Sequence, residues 1–311
     1  MVNYRFPSLR VVQLLALVGA SLVLVAVAMA RVAHAGTLVV DDDGLATATD
    51  CEGHGSAFGT IQAAINAAVA SDTVQICPGT YDEQLKVTTI GLTIRGSGAG
   101  LTIIRPDTVD PIATNIFGNE VSPIILVEGA PSVTIASVTI DGSRADSGAI
   151  LIPQCPILPF FAGIYWKNSS GTLDTSNVTG IKSATACTFA VRAEGAIVGV
   201  SRSMFEAYGF AAISCVGQST KCSIQNNAIR GQGPVANQIQ TGIQIRSQAA
   251  GAISGNAISD HFLLGVHGVP QSSVGIFLVN AQPSSNPHLV RDNVFSNNQV
   301  NIQRISTAAA F

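Results

Sequence analysis

The sequence predicts an all-β chain: a coil of short parallel strands closed at its N-terminal end by one helix. Three observations carry this. From Gly163 onward the chain repeats a small residue, an aliphatic residue and an alternating strand. One alanine-rich amphipathic stretch precedes the first strands. Charged residues make up 11% of 311, while Gly (30 residues), Ser, Thr and Asn are abundant. That composition suits strands buried on one face between polar turns, and it suits neither a helical bundle nor a charged disordered chain.

Residues 1–35 read as a signal peptide. Arg5 and Arg10 form a basic start, Leu14 to Ala30 an apolar run, and Ala33-His34-Ala35 a small-residue cleavage site before Gly36. A retained membrane anchor is the competing reading, since the run approaches spanning length; Arg31 and the small-residue site favour cleavage. Cleavage removes Arg5, Arg10 and Arg31 and no acid. Lys+Arg then falls from 16 to 13 against 19 Asp+Glu, a net charge of −6. A mildly acidic chain without a basic block argues against binding nucleic acid or an anionic membrane surface.

Residues 36–311 read as one domain. Gly36–Val40 is a strand, and a polar loop runs from Asp41 to Gly59. Ile61, Ile65, Ala68 and Val69 recur at three- and four-residue spacing behind Phe58, predicting a cap helix over about 58–71. Coils follow over about 73–305. Thr73–Cys77 alternates as a strand until Pro78-Gly79 ends it. Short aliphatic strands then recur at residues 85–87, 92–95, 101–104, 124–127, 133–135 and 138–140. Residues 106–123 and 147–161 are expected as loops outside the stack. Gly96-Ser-Gly-Ala-Gly100 joins two strands and is a turn rather than a dinucleotide loop.

The repeat opens at Gly163, Ala190, Ala212, Gly242 and Gly275, with steps of 27, 22, 30 and 33 residues. Each opening strand leads into a second of the form aliphatic-x-x-(Asn/Ser)-x-aliphatic, as in Val200…Ser203…Phe205 and Ile224…Asn227…Ile229. Irregular steps of this size fit a parallel coil whose variation lies in loops. Asn227, Asn256 and Asn293 recur at one corner, where asparagine tolerates a left-handed turn and its amide can join a ladder.

Six cysteines in the exported part favour disulfides. The preferred pairs are Cys51–Cys77, Cys155–Cys187 and Cys215–Cys222, other connectivities remaining open. None has CxxC spacing, which argues against a zinc or redox site.

Thr60-Ile-Gln-Ala-Ala-Ile-Asn-Ala-Ala68 and Cys77-Pro-Gly-Thr-Tyr81, with the coils that follow, resemble the pectate-lyase-like superfamily of the pectin lyase fold. The resemblance covers roughly residues 37–305 and implies a single-stranded right-handed parallel β-helix, a solenoid with an N-terminal capping α-helix. It leaves function open, because that superfamily includes lyases, hydrolases, esterases, epimerases and proteins without known activity.

In such a coil the outward residues of one strand stack at about 4.8 Å. Counting from inward Ile164, Val191, Ile213, Ile243 and Ile276 gives two outward columns. The first is Tyr165, Arg192, Ser214, Gln244 and Phe277; the second is Lys167, Glu194, Val216, Arg246 and Val279. Lys167, Arg192, Glu194 and Arg246 are the candidate catalytic residues, and Tyr165, Gln244 and Phe277 the candidate substrate contacts. Tyr165 and Trp166 offer planar faces on which sugars stack. In a polysaccharide lyase, Lys or Arg would abstract the proton α to a uronate carboxylate and cations would stabilise the enolate. The competing reading takes Lys167–Glu194 as a surface pair worth about 0–1 kcal/mol and Trp166 as core.

Glycoside hydrolysis asks for two facing carboxylates. This face offers Glu194 alone, with Asp174, Glu206 and Asp260 expected in turns. The Asn-Thr-Asp and Asp-Asp motifs of polygalacturonase-like members and the paired-Asp and Arg signatures of pectin methylesterases are missing. Gly53-His-Gly55 precedes the cap rather than lying on a coil.

No cofactor is expected. Asp41, Asp43, Asp50 and Glu52 form an acidic cluster with the end spacing of a calcium loop, but Ala46 occupies the glycine position; a solvated loop is the preferred reading. The histidines are scattered, with His261 and His267 flanking an apolar loop, and neither a His-Glu-x-x-His nor a Gly-x-Ser-x-Gly motif occurs. Asn168-Ser-Ser170 and Asn177-Val-Thr179 are glycosylation sequons, relevant in a eukaryotic secretory pathway.

The sequence therefore reads as a secreted or cell-surface monomer whose lateral face contacts an extracellular polysaccharide or surface glycan. The alternatives are a lyase acting on a uronate polymer by β-elimination and a structural or adhesive protein.

Overall fold

Three aliphatic ladders, one per sheet, hold the molecule together. The computed structural model describes residues 35–145, 159–183, 186–236, 238–264, 272–281 and 289–306. All of the expected signal segment except Ala35, and with it His34, lies outside them, as do Cys155, His267 and most of the predicted 147–161 loop.

Successive strands fall in turn into three parallel sheets, so the chain winds as a right-handed parallel β-helix. In the first sheet Leu38, Val74, Ile94, Ile135, Leu173, Val200, Ile224, Ile253 and Val290 stack in register. In the second the ladder is Tyr81, Ile104, Ile140, Val178, Phe205, Ile229, Ile258 and Phe295. In the third it is Leu85, Ile125, Ile164, Val191, Ile213, Ile243, Ile276 and Ile302. Most of these side chains are fully buried in one continuous core. Each contributes about 1.5–3 kcal/mol of apolar burial, available only because the next rung covers it.

The small residue that opens each repeat has a packing cause. Where the opener is glycine a Cβ would strike the next strand, 2.6 Å from Ala190 O at Gly163 and 2.6 Å from Gly275 O at Gly242; at Ala190 and Ala212 the single methyl is fully buried.

The aliphatic-x-x-(Asn/Ser)-x-aliphatic segment is two strands, not one. Its first aliphatic belongs to the first sheet and its last to the second. The bend between them is made by a left-handed residue at Thr175, Arg202, Asn226, Gly255 and Asp292. The left-handed position thus precedes the recurring Ser or Asn. That residue supplies the ladder: Ser203 N–H donates to Asn227 Oδ1, and Asn227 Nδ2 donates to Asn256 Oδ1 at 2.9 Å. Asn256 Nδ2 in turn donates to Asn293 Oδ1 at 2.9 Å. One amide thereby satisfies the backbone of the rung before it and its own counterpart in the next.

The cap helix spans Ile61–Ala67, shorter than the 58–71 expected. Thr60 caps it by accepting the Ala63 N–H, and the Glu83 carboxylate takes the Ile61 and Gln62 N–H groups at 2.6 and 2.9 Å. Ala68 is already extended, because Asp72 captures the Val69 N–H at 2.8 Å and the Gly36 N–H at 2.7 Å. Ile61, Ala64 and Ile65 are buried, whereas Val69 is 57% exposed and lies off the apolar face.

Cys51–Cys77 fastens the loop before the cap to the first rung, and Cys215–Cys222 closes one turn. The expected partner of Cys187, Cys155, is outside the described residues. Asp41 and Asp43 both accept the Leu45 N–H, and Asp42 accepts that of Thr80. Among the described residues no three His, Cys, Asp or Glu side chains are grouped to hold a metal ion, and no helix is long and apolar enough to cross a membrane.

Candidate functional site

The two columns counted from the repeat exist in register on the outer face of the third sheet. Tyr165 pairs with Arg192, Arg192 with Ser214, Ser214 with Gln244 and Gln244 with Phe277. Beside them Lys167, Glu194, Val216, Arg246 and Val279 form the second column. Extended backward one rung, they meet Leu126 and Glu128 of the strand Glu120–Glu128.

The face was expected to be open, and over four rungs it is not. Tyr165, Arg192, Glu194, Ser214, Val216 and Gln244 are all buried. Over Tyr165 and Glu194 the cover is the 106–123 loop, expected to leave the stack. Its strand Ala113–Thr114 pairs antiparallel with Glu120–Val121, and the resulting hairpin lies back across the sheet. Ile116 N–H donates to Glu194 Oε2 at 2.9 Å, and Phe117 reaches Arg246, whose guanidinium carbon is 6.0 Å from the ring centroid. Tyr165 and Trp166 are fully buried, so neither offers a face to a sugar; Trp166 packs inside the coil.

Beneath the hairpin Glu194 is saturated. Its Oε1 accepts Arg192 Nε at 2.7 Å and also Arg192 Nη2; its Oε2 accepts the Tyr165 hydroxyl at 2.6 Å and Ile116 N–H. The Arg192 guanidinium lies 4.7 Å from the Phe160 ring centroid and 4.6 Å from that of Phe189. Burial pulls the Arg192 pKa below its ordinary value, and the Glu194 charge opposes this. Burial, reinforced by Glu194, pushes the Tyr165 phenol up. With the hairpin closed, both Glu194 oxygens are taken and Arg192 is buried, so neither is open to a ligand. Ser214 Oγ donates to Gln244 Oε1 at 3.0 Å.

The expected Lys167–Glu194 pair does not form. Lys167 Nζ lies 3.0 Å from Glu128, which also takes Lys86 at 3.1 Å. The Lys167 hydrogen bond holds the Glu128 carboxyl below its ordinary value. Glu128 was missed because the repeat was counted only from Gly163, although it follows Ile125 at the spacing by which Lys167 follows Ile164. The hairpin carries no periodicity by which its return could be read.

Beyond the hairpin the face opens. Arg246, Phe277, Val279 and Gln303 are half-buried, Ile305 is exposed, and Phe117 is 56% exposed at the hairpin tip. Among the described residues no carboxylate lies within ion-pair distance of Arg246. Burial, then the Arg192 charge, lowers its pKa, with Glu194 opposing. The turn carboxylates are occupied: Asp174 by Ser201 and Arg202, Asp260 by Ser259 and Arg230.

No protein-family model matches the chain, and no curated protein does. Among solved structures, pectin methylesterase PemA from Erwinia chrysanthemi aligns at 14% identity and a TM-score of 0.45, over 86% of this chain and 92% of its own. ORF18 of Geobacillus virus E2 aligns at 12% identity and 0.43, over 98% of this chain and 65% of its own. An alginate lyase from a Paenibacillus species aligns at 12% identity and 0.34, over 79% and 95%. The architecture assigned to this chain rests on its own strand order and register.

Proposed function

We propose that the protein is an exported monomer that holds an extracellular polysaccharide or surface glycan on the outer face of the third sheet. The observation that carries this is the juxtaposition of Arg246, without a carboxylate partner among the described residues, and the half-buried Phe277 of the next strand. Sugar rings present apolar C–H faces to aromatic rings, and their oxygens accept from a fixed guanidinium fork. From strand Thr241–Arg246 to strand Val300–Ile305 the open face spans three strands, about 10 Å at the sheet spacing, room for a short stretch of a saccharide chain. Disulfides support an extracytoplasmic location, together with the signal-like residues 1–35. The reading needs no cofactor and no cleavage.

The test is binding of the mature protein to a panel of soluble polysaccharides. Arg246→Ala should weaken binding about tenfold or more, matching about 1.5–3 kcal/mol for a hydrogen bond to a charged group, with melting unchanged. Failure to bind any glycan leaves the structural or adhesive reading. One observation favours a second, catalytic reading. Burial lowers the pKa of Arg246, which is the direction a guanidinium base in β-elimination needs. Absorbance of unsaturated products from uronate polymers, lost in Arg246→Ala, would establish a lyase, and its absence on every polymer tested would remove it.

A further inference from the structure

The hairpin over the third sheet is built inversely to a permanent cover. It buries Asn115, whose Nδ2 has no partner, and leaves Ile116 and Phe117 more than half exposed. A fixed cover would bury its apolar side chains and satisfy its polar ones.

Its attachments are also uneven. The base is clamped on both sides by Gln84, whose Nε2 donates to Asp110 O and Pro123 O at 2.8 Å each and whose Oε1 accepts the Asp110 N–H. The tip is bonded to itself: Asn115 Oδ1 accepts from Phe117 and Asn119 N–H, and Gly118 N–H donates to Asn115 O. Among the described residues, the polar bonds from the hairpin to the face are Ile116 N–H to Glu194 and the Tyr165 hydroxyl to Thr114 O, the second long at 3.4 Å. A clamped base, a self-contained tip and few bonds to the face between them describe a hinged element of low local stability.

We infer that residues 114–120 are a lid, which swings about the base held by Gln84 and by the Val121–Phe160 ladder pair and uncovers Tyr165 and Glu194. The occupant of the opened face rests on the glycan reading above. A saccharide hydroxyl donates to Glu194 Oε2 in place of Ile116 N–H, and another accepts the Tyr165 hydroxyl in place of Thr114 O. The binding face then extends back toward Tyr165 as one track continuous with Arg246 and Phe277. The cation–aromatic contact between Arg246 and Phe117 is broken as the lid leaves.

Opening is measured on the intact protein without ligand. In Val216→Cys a thiol replaces a fully buried side chain that lies between Glu194 and Arg246, both touched by the hairpin, and alkylation by iodoacetamide reports its exposure. The fluorescence of Trp166, the only tryptophan, reports global unfolding. Alkylation at least 100-fold faster than global unfolding, and unchanged by low denaturant, is expected; alkylation at the global rate overturns the lid. If the variant does not fold, hydrogen exchange in the wild type decides by the same two criteria, with the Ile116 amide compared with that of Val191. A polysaccharide found on the panel should slow alkylation of the thiol. A polysaccharide that binds and leaves the rate unchanged removes the lid from binding. If none binds while fast opening is seen, the glycan reading fails and the hinge stands.

Discussion

At the scale of single residues, the Arg192–Glu194 pair shows how a counted column can be right in register and wrong in environment. Removing one partner of a buried pair leaves an uncompensated charge. Glu194→Ala should therefore cost about 3–5 kcal/mol in chemical denaturation, whereas Arg192→Met with Glu194→Leu should recover most of it. A double variant no more stable than Glu194→Ala would mean that the pair is not what holds this layer. A second test is set by pH. His261 is buried, accepts the Tyr208 hydroxyl at Nε2 and faces Asn298 Oδ1 at 2.9 Å from Nδ1. Burial lowers its pKa from 6.5 to about 4, with Asn298 and the nearby Asp260 charge opposing. The unfolded chain binds this proton first, so the contribution is full above pH 6.5 and lost as pH falls through about 4. The loss amounts to about 3 kcal/mol. His261→Gln should be less stable at pH 7 yet lack the slope between pH 6.5 and 4.5. The seven candidate residues were legible because alternation and repeat spacing decide which side chains share a face. The burial of Tyr165 and Glu194 was not, because it depends on a hairpin whose sequence has no period.

At the scale of elements, the Ser/Asn corner was legible as a recurrence and misjudged as geometry. The two aliphatics stand five residues apart, as in Val200 and Phe205, an odd spacing that one strand would turn to opposite faces, so both reach the core only if the chain bends between two strands. What separates them is one left-handed residue, occupied here by Thr175, Arg202, Asn226, Gly255 and Asp292, which share no side-chain type. The recurring Asn is kept for its amide, not its backbone. Asn256 Oδ1 takes both the backbone N–H and the Nδ2 of Asn227, and its own Nδ2 donates to Ile224 O and Asn293. Asn256→Ala should cost about 2–3 kcal/mol, since at least one buried donor loses its partner. Asn256→Ser should cost less, because Ser203 serves the same corner two rungs earlier by accepting the Ser176 N–H. Equal losses in the two variants, read from denaturation midpoints, would point to volume rather than hydrogen bonding.

At the scale of the whole molecule, a coil is a column of rungs that stabilise only their neighbours, so an end rung must find cover elsewhere. The helix Ile61–Ala67 supplies it at the N-terminal end. Ile61 and Ile65 sit in the same core as Val40, Val74 and Leu85 of the first strands. The sequence pattern placed Val69 on that apolar face too, but the structure ends the helix before it and leaves it in water, because Asp72 competes for the Val69 N–H. The two placements make different demands. Ile61→Asp with Ile65→Asp drives two carboxylates into the closed end or forces the helix off it. The cost is on the order of several kcal/mol, and the released edge of the first rung becomes a template for association. Loss of soluble protein, or melting lowered by well over 10 °C, is expected. Val69→Asp should leave melting unchanged, within the roughly 0.5 kcal/mol typical of exposed sites. If Val69→Asp were as damaging as the double variant, the plug would extend beyond Ala67 and the short helix would be the wrong boundary. If both variants melted like the wild type, the stack would not depend on this end for its stability.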